Sequence, residues 1–213
     1  MPLPPRRSVV LLATTTTYRA ADFLDAARRL GVDVIQGTDR FHVLAEHWPE
    51  GAIPLRFDDP ESAARLLVEE IGERPVAAVI GTDERTVLIA AMAAQRLGLI
   101  HTPVEAALAV RDKHRMRERF SRKGVPSPAY ALVPIDGDPA ETARGARYPC
   151  VLKPLLLSAS RGVMRADDEA SFAAAFLRLR ALLDRPELRH MDELASRHVL
   201  IEEYVPGEEV AVR

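Results

Sequence analysis

Three times in the first hundred residues a short apolar run gives way to a helical pattern. SVVLLA at 8–13 precedes AADFLDAARRLG, AIPLRF precedes PESAARLLVEEIG, and VAAVIG precedes the loop TDE and TVLIAAMAAQRLG; VDVIQG from 32 begins a further apolar run. Parallel strands cannot be joined by a tight turn and need a crossover, for which a helix is the usual solution. The spacing therefore predicts a doubly wound parallel sheet over residues 8–105. No GxGxxG follows the first strand, so the dinucleotide fingerprint is missing and a NAD site is not expected there.

The pattern then changes. PVEAALAVRDKHRMRERFSRKG, 103–124, reads as two short helical turns or one longer helix, with Gly124 as a stop before the extended VPSPAYALVP. A domain boundary is expected here. DGDPAETARGARYPCVLKP offers a short helix starting near Pro139 and a strand at 149–153. DDEASFAAAFLRLRALLD reads as a capped helix of about four turns, and HVLIEEYVPGEEVAVR as a strand, a turn at Pro206-Gly207 and the start of another strand. This second part mixes α and β. With 213 residues, 47% of them hydrophobic, the chain is long enough for one large or two small domains. Its last residues, EEVAVR, read as a strand entered but not left, so a piece of a longer chain is expected.

Formal net charge is −2 and the charged residues are spread along the sequence. Neither a nucleic-acid nor a membrane surface is expected, and small ligands are the favoured partners. The basic pair before VVLLA resembles an export signal only superficially, since the run is five residues long and leads into four threonines. No apolar stretch approaches the roughly 20 residues that cross a bilayer. The one cysteine, Cys150, is expected to be a buried strand thiol, and the cytoplasm is the default compartment.

Of 29 basic side chains only three are lysines, and one of them, Lys153, sits in the apolar strand YPCVLKP. A buried charge needs an opposite charge, which this stretch does not contain; a phosphate would serve. The following loop suits one. Its small residues let backbone N–H groups approach an anion, Gly162 allows dihedrals that a side chain hinders, and Ser158 and Ser160 add hydroxyl donors. GxxxxGK[ST] is absent, so this is not a Walker loop, and a surface hairpin with a snorkelling lysine is the competing reading.

Lys113 in RDKHRMR is the second candidate. Asp112 can start the helical turn, and Lys113, Met116 and Arg117 then share a face, although such faces are usually just solvated. Lys123 reads as a surface residue. In LIEEYVPGEE an apolar strand runs into Glu202 and Glu203 and then, past a turn, Glu208 and Glu209; each acid taken singly reads as solvated, but a nucleoside needs backbone donors and acceptors for its base and a carboxylate for its sugar. The loops TTTTYR and GTDER follow strands of the parallel sheet, where Thr hydroxyls, Arg19 or Arg85 can meet a substrate carboxylate, with capping and turn duties as the alternative and no firmer claim for Asp83 or Glu84.

These stretches, in this order, resemble the ATP-grasp superfamily of carboxylate-amine and carboxylate-thiol ligases, particularly its biotin-carboxylase-like and carbamoyl-phosphate-synthetase-like branch. The resemblance implies an α/β fold with a Rossmann-like pre-ATP-grasp domain over 1–105, a helical linker over 106–125, and the first α+β nucleotide-binding lobe over 126–213. It implies that Lys113 and Lys153 hold ATP phosphates and that the loop with Ser158, Ser160, Arg161 and Gly162 closes over them. By the same likeness the Glu202 carbonyl meets the adenine amino edge, Glu203 and Val205 form the adjoining hinge, and Glu209 accepts from ribose. The implied reaction has a substrate carboxylate attack the γ-phosphate, giving an acylphosphate that an amine or other nucleophile captures. The family's magnesium ligands belong to positions beyond Arg213, so no metal ligand or catalytic residue is assigned, Glu208 and Glu209 included, and these 213 residues alone are expected to lack turnover. Homodimerisation is common among relatives. A non-catalytic α/β ligand-binding or regulatory protein, and a short protein completed by a partner subunit, are the alternatives.

Overall fold

Four of the apolar runs pair as predicted. The computed structural model describes residues 8–39, 52–188, 193–208 and 210. Strands β1 (Ser8–Ala13), β2 (Asp33–Thr38), β3 (Ile53–Pro54) and β4 (Val76–Gly81) form an all-parallel sheet of order β3-β2-β1-β4. The third is shorter than AIPLRF suggested, two residues paired with Gly37 and Thr38. Helix α1 (Ala20–Leu30) joins β1 to β2, while α2 (Pro60–Ile71) joins β3 to β4 in the opposite direction across the sheet. Right-handed crossovers running opposite ways lie on opposite faces, which is the doubly wound arrangement.

The core of this sheet is built on the α2 side. Val10 and Leu12 of β1 pack with Ala63, Ala64, Leu67 and Ile71 of α2 and with Ile89 and Ala93 of α3 (Val87–Arg96). Asp59 accepts from the Ser62 N–H and Pro60 sits in the first turn, so α2 starts where Asp-Pro chemistry puts it. Val104 and Ala107, on α4 (Val104–Arg111), pack with Leu88 and Ala91.

The stretch 103–124 is two helices, α4 and α5 (Lys113–Arg122), because Asp112 leaves the helical conformation at φ −108° and ψ 110°. Its carboxylate accepts from the His114 and Arg115 N–H groups and opens α5. The chain divides into units Met1–Leu108 and Ala109–Arg213.

In the second unit β5 (Tyr130–Pro134), β6 (Cys150–Pro154), β7 (Met164–Ala166) and β8 (His198–Glu203) make an antiparallel sheet of order β5-β8-β6-β7. Period-two alternation sorts its faces. Cys150, Leu152, Ala166 and Val199 pack with Phe172, Phe176, Leu179 and Leu183 of α7 (Glu169–Leu183) and with Ala143 of α6 (Pro139–Gly145). The Cys150 thiol is pushed up by burial, with the Asp167 charge adding to it, so the cysteine is the strand residue that the sequence suggested. Lys153 and Glu202 alternate onto the other face, where Leu200 packs with Leu155 and with Ala195 of the short α8 (Glu193–Arg197).

Helix α7 starts in a capping box in which Asp168 accepts from the Ser171 N–H and the Ser171 hydroxyl accepts from the Asp168 N–H. Replacing Asp168 by Ala is expected to lower the stability of the second unit by about 1 kcal/mol, read as a lower urea midpoint at unchanged m.

Candidate functional site

The partner that Lys153 needs lies 49 positions away on the neighbouring strand. Val151 stands opposite Glu202 in the β6–β8 register, which puts Lys153 one diagonal step from Glu202 on the same face. The Lys153 Nζ lies 2.5 Å from Glu202 Oε2. From α5, Arg117 Nε donates to Oε1 at 2.7 Å and Nη2 to Oε2 at 3.1 Å. Such a planar fork matches both oxygens of a carboxylate, which a lysine does not. The Glu202 side chain is only 4% exposed, against 14% for Arg117 and 17% for Lys153.

Taken singly, the Glu202 acid reads as solvated in sequence; its side chain is a buried acceptor shared by two cations, which leaves the role of its main-chain carbonyl a separate matter. Burial opposes its charge, but the hydrogen bonds from Arg117 and Lys153 outweigh burial and hold the carboxyl below its ordinary value. Among the described residues two cations share this one carboxylate, a surplus positive charge of one.

Lys113 is placed beside the same strand. Its backbone N–H and its Nζ both donate to the Leu155 carbonyl, at 3.1 and 3.3 Å, and Nζ also donates to the Leu157 carbonyl at 2.7 Å. One lysine thus clamps the base of the loop that the other precedes. The helix face holding Lys113 and Arg117 is not merely solvated, whereas Lys123 caps the C-terminal end of α5 and is exposed.

The loop between β6 and β7 is a hairpin connection, and it carries the unusual backbone that the small residues suggested. Ala159, Ser160 and Gly162 all have positive φ, at 54°, 55° and 80°. The Arg161 and Val163 N–H groups close turns onto the Ser158 and Ser160 carbonyls, while Ser158, Ser160 and Arg161 are exposed. A Cβ on Gly162 would stand 2.8 Å from Leu182 Cδ2, so the loop is seated on α7.

Beyond Glu202 the strand ends in exposed Glu203, Val205 and Glu208; Glu209 lies outside the described residues. The Glu203 N–H bonds the Ala129 carbonyl and the Tyr204 N–H the Pro149 carbonyl, which fixes this segment to both neighbouring strands. Arg165 stacks over the Tyr204 ring at 4.1 Å, a contact between β7 and the segment that local pattern does not signal.

A second polar group occupies the first unit, where strand order reverses between β1 and β4. The Thr14 hydroxyl donates to Asp83 Oδ2 at 2.9 Å, and Asp83 Oδ1 accepts from the Arg85 and Thr86 N–H groups. Asp39, just past β2, accepts from the Thr15 N–H and pairs with Arg85 at 3.3 Å. A Cβ on Gly81 would lie 2.7 Å from Thr86 C, so the strand can enter this turn only as glycine. The pattern pointed to Thr14 and Arg85 but not to Asp39, whose one signal is its place at the end of a parallel strand. Arg19 stands apart from this network, before α1 with its guanidinium over the Tyr18 ring. Glu84 is exposed.

Among the described residues no group of three or more His, Cys, Asp or Glu side chains could hold a metal ion, and no helix is long and apolar enough to cross a membrane.

Two family models match this sequence: an ATP-grasp N-terminal domain over residues 24–100 and an ATP-grasp domain over 146–213. The chain belongs to the ATP-grasp superfamily. The ATP-grasp chain is 31% identical over 159 residues to alanine–anticapsin ligase of Bacillus subtilis, a match covering 73% of this chain and 34% of that protein. Its fold matches an L-amino acid ligase from Bacillus licheniformis with TM-score 0.69 at 20% identity, over 95% of this chain and 45% of the other. A second likeness is to an N5-carboxyaminoimidazole synthetase from Staphylococcus aureus complexed with ADP, with TM-score 0.63 at 11% identity over 93% and 48% of the two chains. The ATP-grasp chain thus spans between a third and a half of the length of these relatives.

Because the folded pKa of Glu202 is depressed, its contribution to stability is present above the ordinary value of 4.5 and lost as pH falls through the folded value. Glu202→Gln is therefore expected to cost about 3 kcal/mol at neutral pH by leaving two cations without their carboxylate. That gap closes in acid, where the native side chain is itself protonated. Parallel denaturation curves from pH 7 to about pH 3 check this, and a gap that stayed constant would contradict a charged Glu202.

Proposed function

We propose that this ATP-grasp chain holds the adenine, ribose and phosphates of ATP for an ATP-dependent carboxylate-amine ligase reaction that passes through an acylphosphate. The observation that carries the reading is the surplus cation at the end of β6, set directly before a loop whose base Lys113 clamps. A partly buried surplus charge of this kind favours a polyanion over a neutral ligand. The names of the relatives, an alanine–anticapsin ligase and an L-amino acid ligase among them, support the joining of a carboxylate to an amine.

In this reading residues 1–105 are the pre-ATP-grasp domain, 106–125 the linker and 126–213 the first nucleotide-binding lobe. Lys113 and Lys153 hold phosphates, and the loop with Ser158, Ser160, Arg161 and Gly162 covers them. The segment Glu202, Glu203 and Val205 receives adenine, and Glu209 receives ribose. A carboxylate oxygen of the substrate attacks the γ-phosphorus as ADP leaves; the amine nitrogen then attacks the acyl carbon and phosphate leaves. The lysines offset negative charge on the phosphate oxygens as it shifts. Within the first unit, the Thr hydroxyls of the 14–17 loop, Arg19 or Arg85 are proposed to meet a small carboxylate. An ATP-consuming reaction of this kind belongs to the cytoplasm.

Calorimetric titration of the chain with magnesium-ATP tests the assignment. Lys113→Met and Lys153→Met are each expected to weaken binding at least about tenfold, the equivalent of 1.4 kcal/mol. Unchanged binding in both variants would overturn it. In this reading these 213 residues hold ATP but do not turn over as a ligase alone, so robust ligation product from them would contradict the division of labour.

A further inference from the structure

The Glu202 cluster has one carboxylate and two cations, and its geometry distinguishes which cation is held and which is spare. Arg117 makes two hydrogen bonds, one to each oxygen. The Lys153 Nζ approaches Oε2, the same oxygen that takes the second arginine bond. An ammonium on a flexible four-carbon stem can turn to another acceptor, whereas a planar fork seated on both oxygens loses two bonds if it leaves. Were Arg117 absent, departure of Lys153 would strand a carboxylate that is 4% exposed, a strongly unfavourable state. The lysine would then be committed to Glu202 and lost to any ligand.

We propose that Arg117 is a positioning residue that releases Lys153: by occupying both oxygens of Glu202 it keeps the buried carboxylate paired while the ammonium moves to an incoming phosphate oxyanion. That the anion belongs to a nucleotide rests on the function proposed above; the release itself does not. The place of Arg117 in sequence fits the role. It lies one helical turn after Lys113, so the helix that clamps the loop base through Lys113 also carries the counter-charge that frees Lys153.

The test compares acylation of Lys153 by an amine-reactive acetyl ester, read by mass spectrometry, with that of exposed Lys123 in the same molecule. Arg117→Gln is expected to slow Lys153 relative to Lys123 by about tenfold, because an ammonium committed to Glu202 is withheld from the reagent, and to weaken ATP binding in parallel. Arg117→Lys is expected to recover part of both losses. The double change Arg117→Gln with Glu202→Gln removes the carboxylate that traps the lysine, so it restores both readouts. It also leaves no buried carboxylate unpaired, so this variant and Arg117→Lys carry the comparison if the single variant unfolds. Unaltered Lys153 reactivity in Arg117→Gln, or a double variant no better than the single one, overturns the proposal. If reactivity changes and is rescued but the unaltered chain binds no ATP, Arg117 has the assigned role and the nucleotide reading fails. If ATP binds and Lys153→Met weakens it while Arg117→Gln leaves Lys153 reactivity untouched, the nucleotide reading stands and this inference falls.

Discussion

A carboxylate on the central strand of an antiparallel sheet can stay charged only if donors reach it from several elements, and Glu202 draws on two. Arg117 comes from α5 and Lys153 from β6, so one buried acceptor fixes the position of a helix and the direction of a strand-end lysine. The same helix begins at Asp112, whose carboxylate caps it, and its first residue bonds the Leu155 carbonyl at the root of the β6–β7 loop. Charge pairing, helix capping and loop anchoring therefore converge within a few residues of Lys113. The opposite face of the sheet does the hydrophobic work, with Phe172, Phe176 and Leu179 of α7 against Cys150, Leu152 and Val199. That division leaves the α5 face available for polar chemistry.

Both units share a physical habit. Cations near strand ends are held by internal acceptors: Lys153 by Glu202, Lys113 by two carbonyls, and Arg85 by Asp39. Holding a cation this way limits its wandering and keeps its desolvation small, while an arriving anion exchanges one acceptor for another. The exchange is easiest where a spare cation exists, which is the case at Glu202 and is what distinguishes it from an ordinary buried ion pair. In the first unit Asp39 pairs with the guanidinium of Arg85, while Asp83 accepts from the Arg85 backbone N–H. A carboxylate ligand there would compete with Asp39 for that guanidinium.

The repeated alternation of apolar runs and helical patterns was enough to imply a parallel sheet over 8–105, because strand and helix periods are local properties and parallel strands require crossovers. Asp-Pro before α2, the Asp and Ser around the start of α7, and the Cys150 strand were legible for the same reason. The residues whose order resembles the ATP-grasp superfamily were legible too, and the family matches over 24–100 and 146–213 agree with them. From Lys153 alone, the chain announced that some partner for a strand lysine must exist.

Which partner that is could not be read locally. Glu202 is separated from Lys153 by the whole of α7, and it meets Arg117 across 85 positions, so only the β6–β8 register and the placing of α5 bring the three together. The bend at Asp112 was likewise undecided in sequence, since one long helix and two short ones share the same apolar spacing until a carboxylate is seen to take the first N–H groups of the second. Asp39 gave no signal beyond its place after a strand, because a lone acid there acquires meaning only when another strand of the sheet brings Arg85 beside it. Sequence set the elements and the kinds of charge, since these depend on neighbours along the chain; tertiary structure decided which charges meet, since that depends on register and packing between segments far apart.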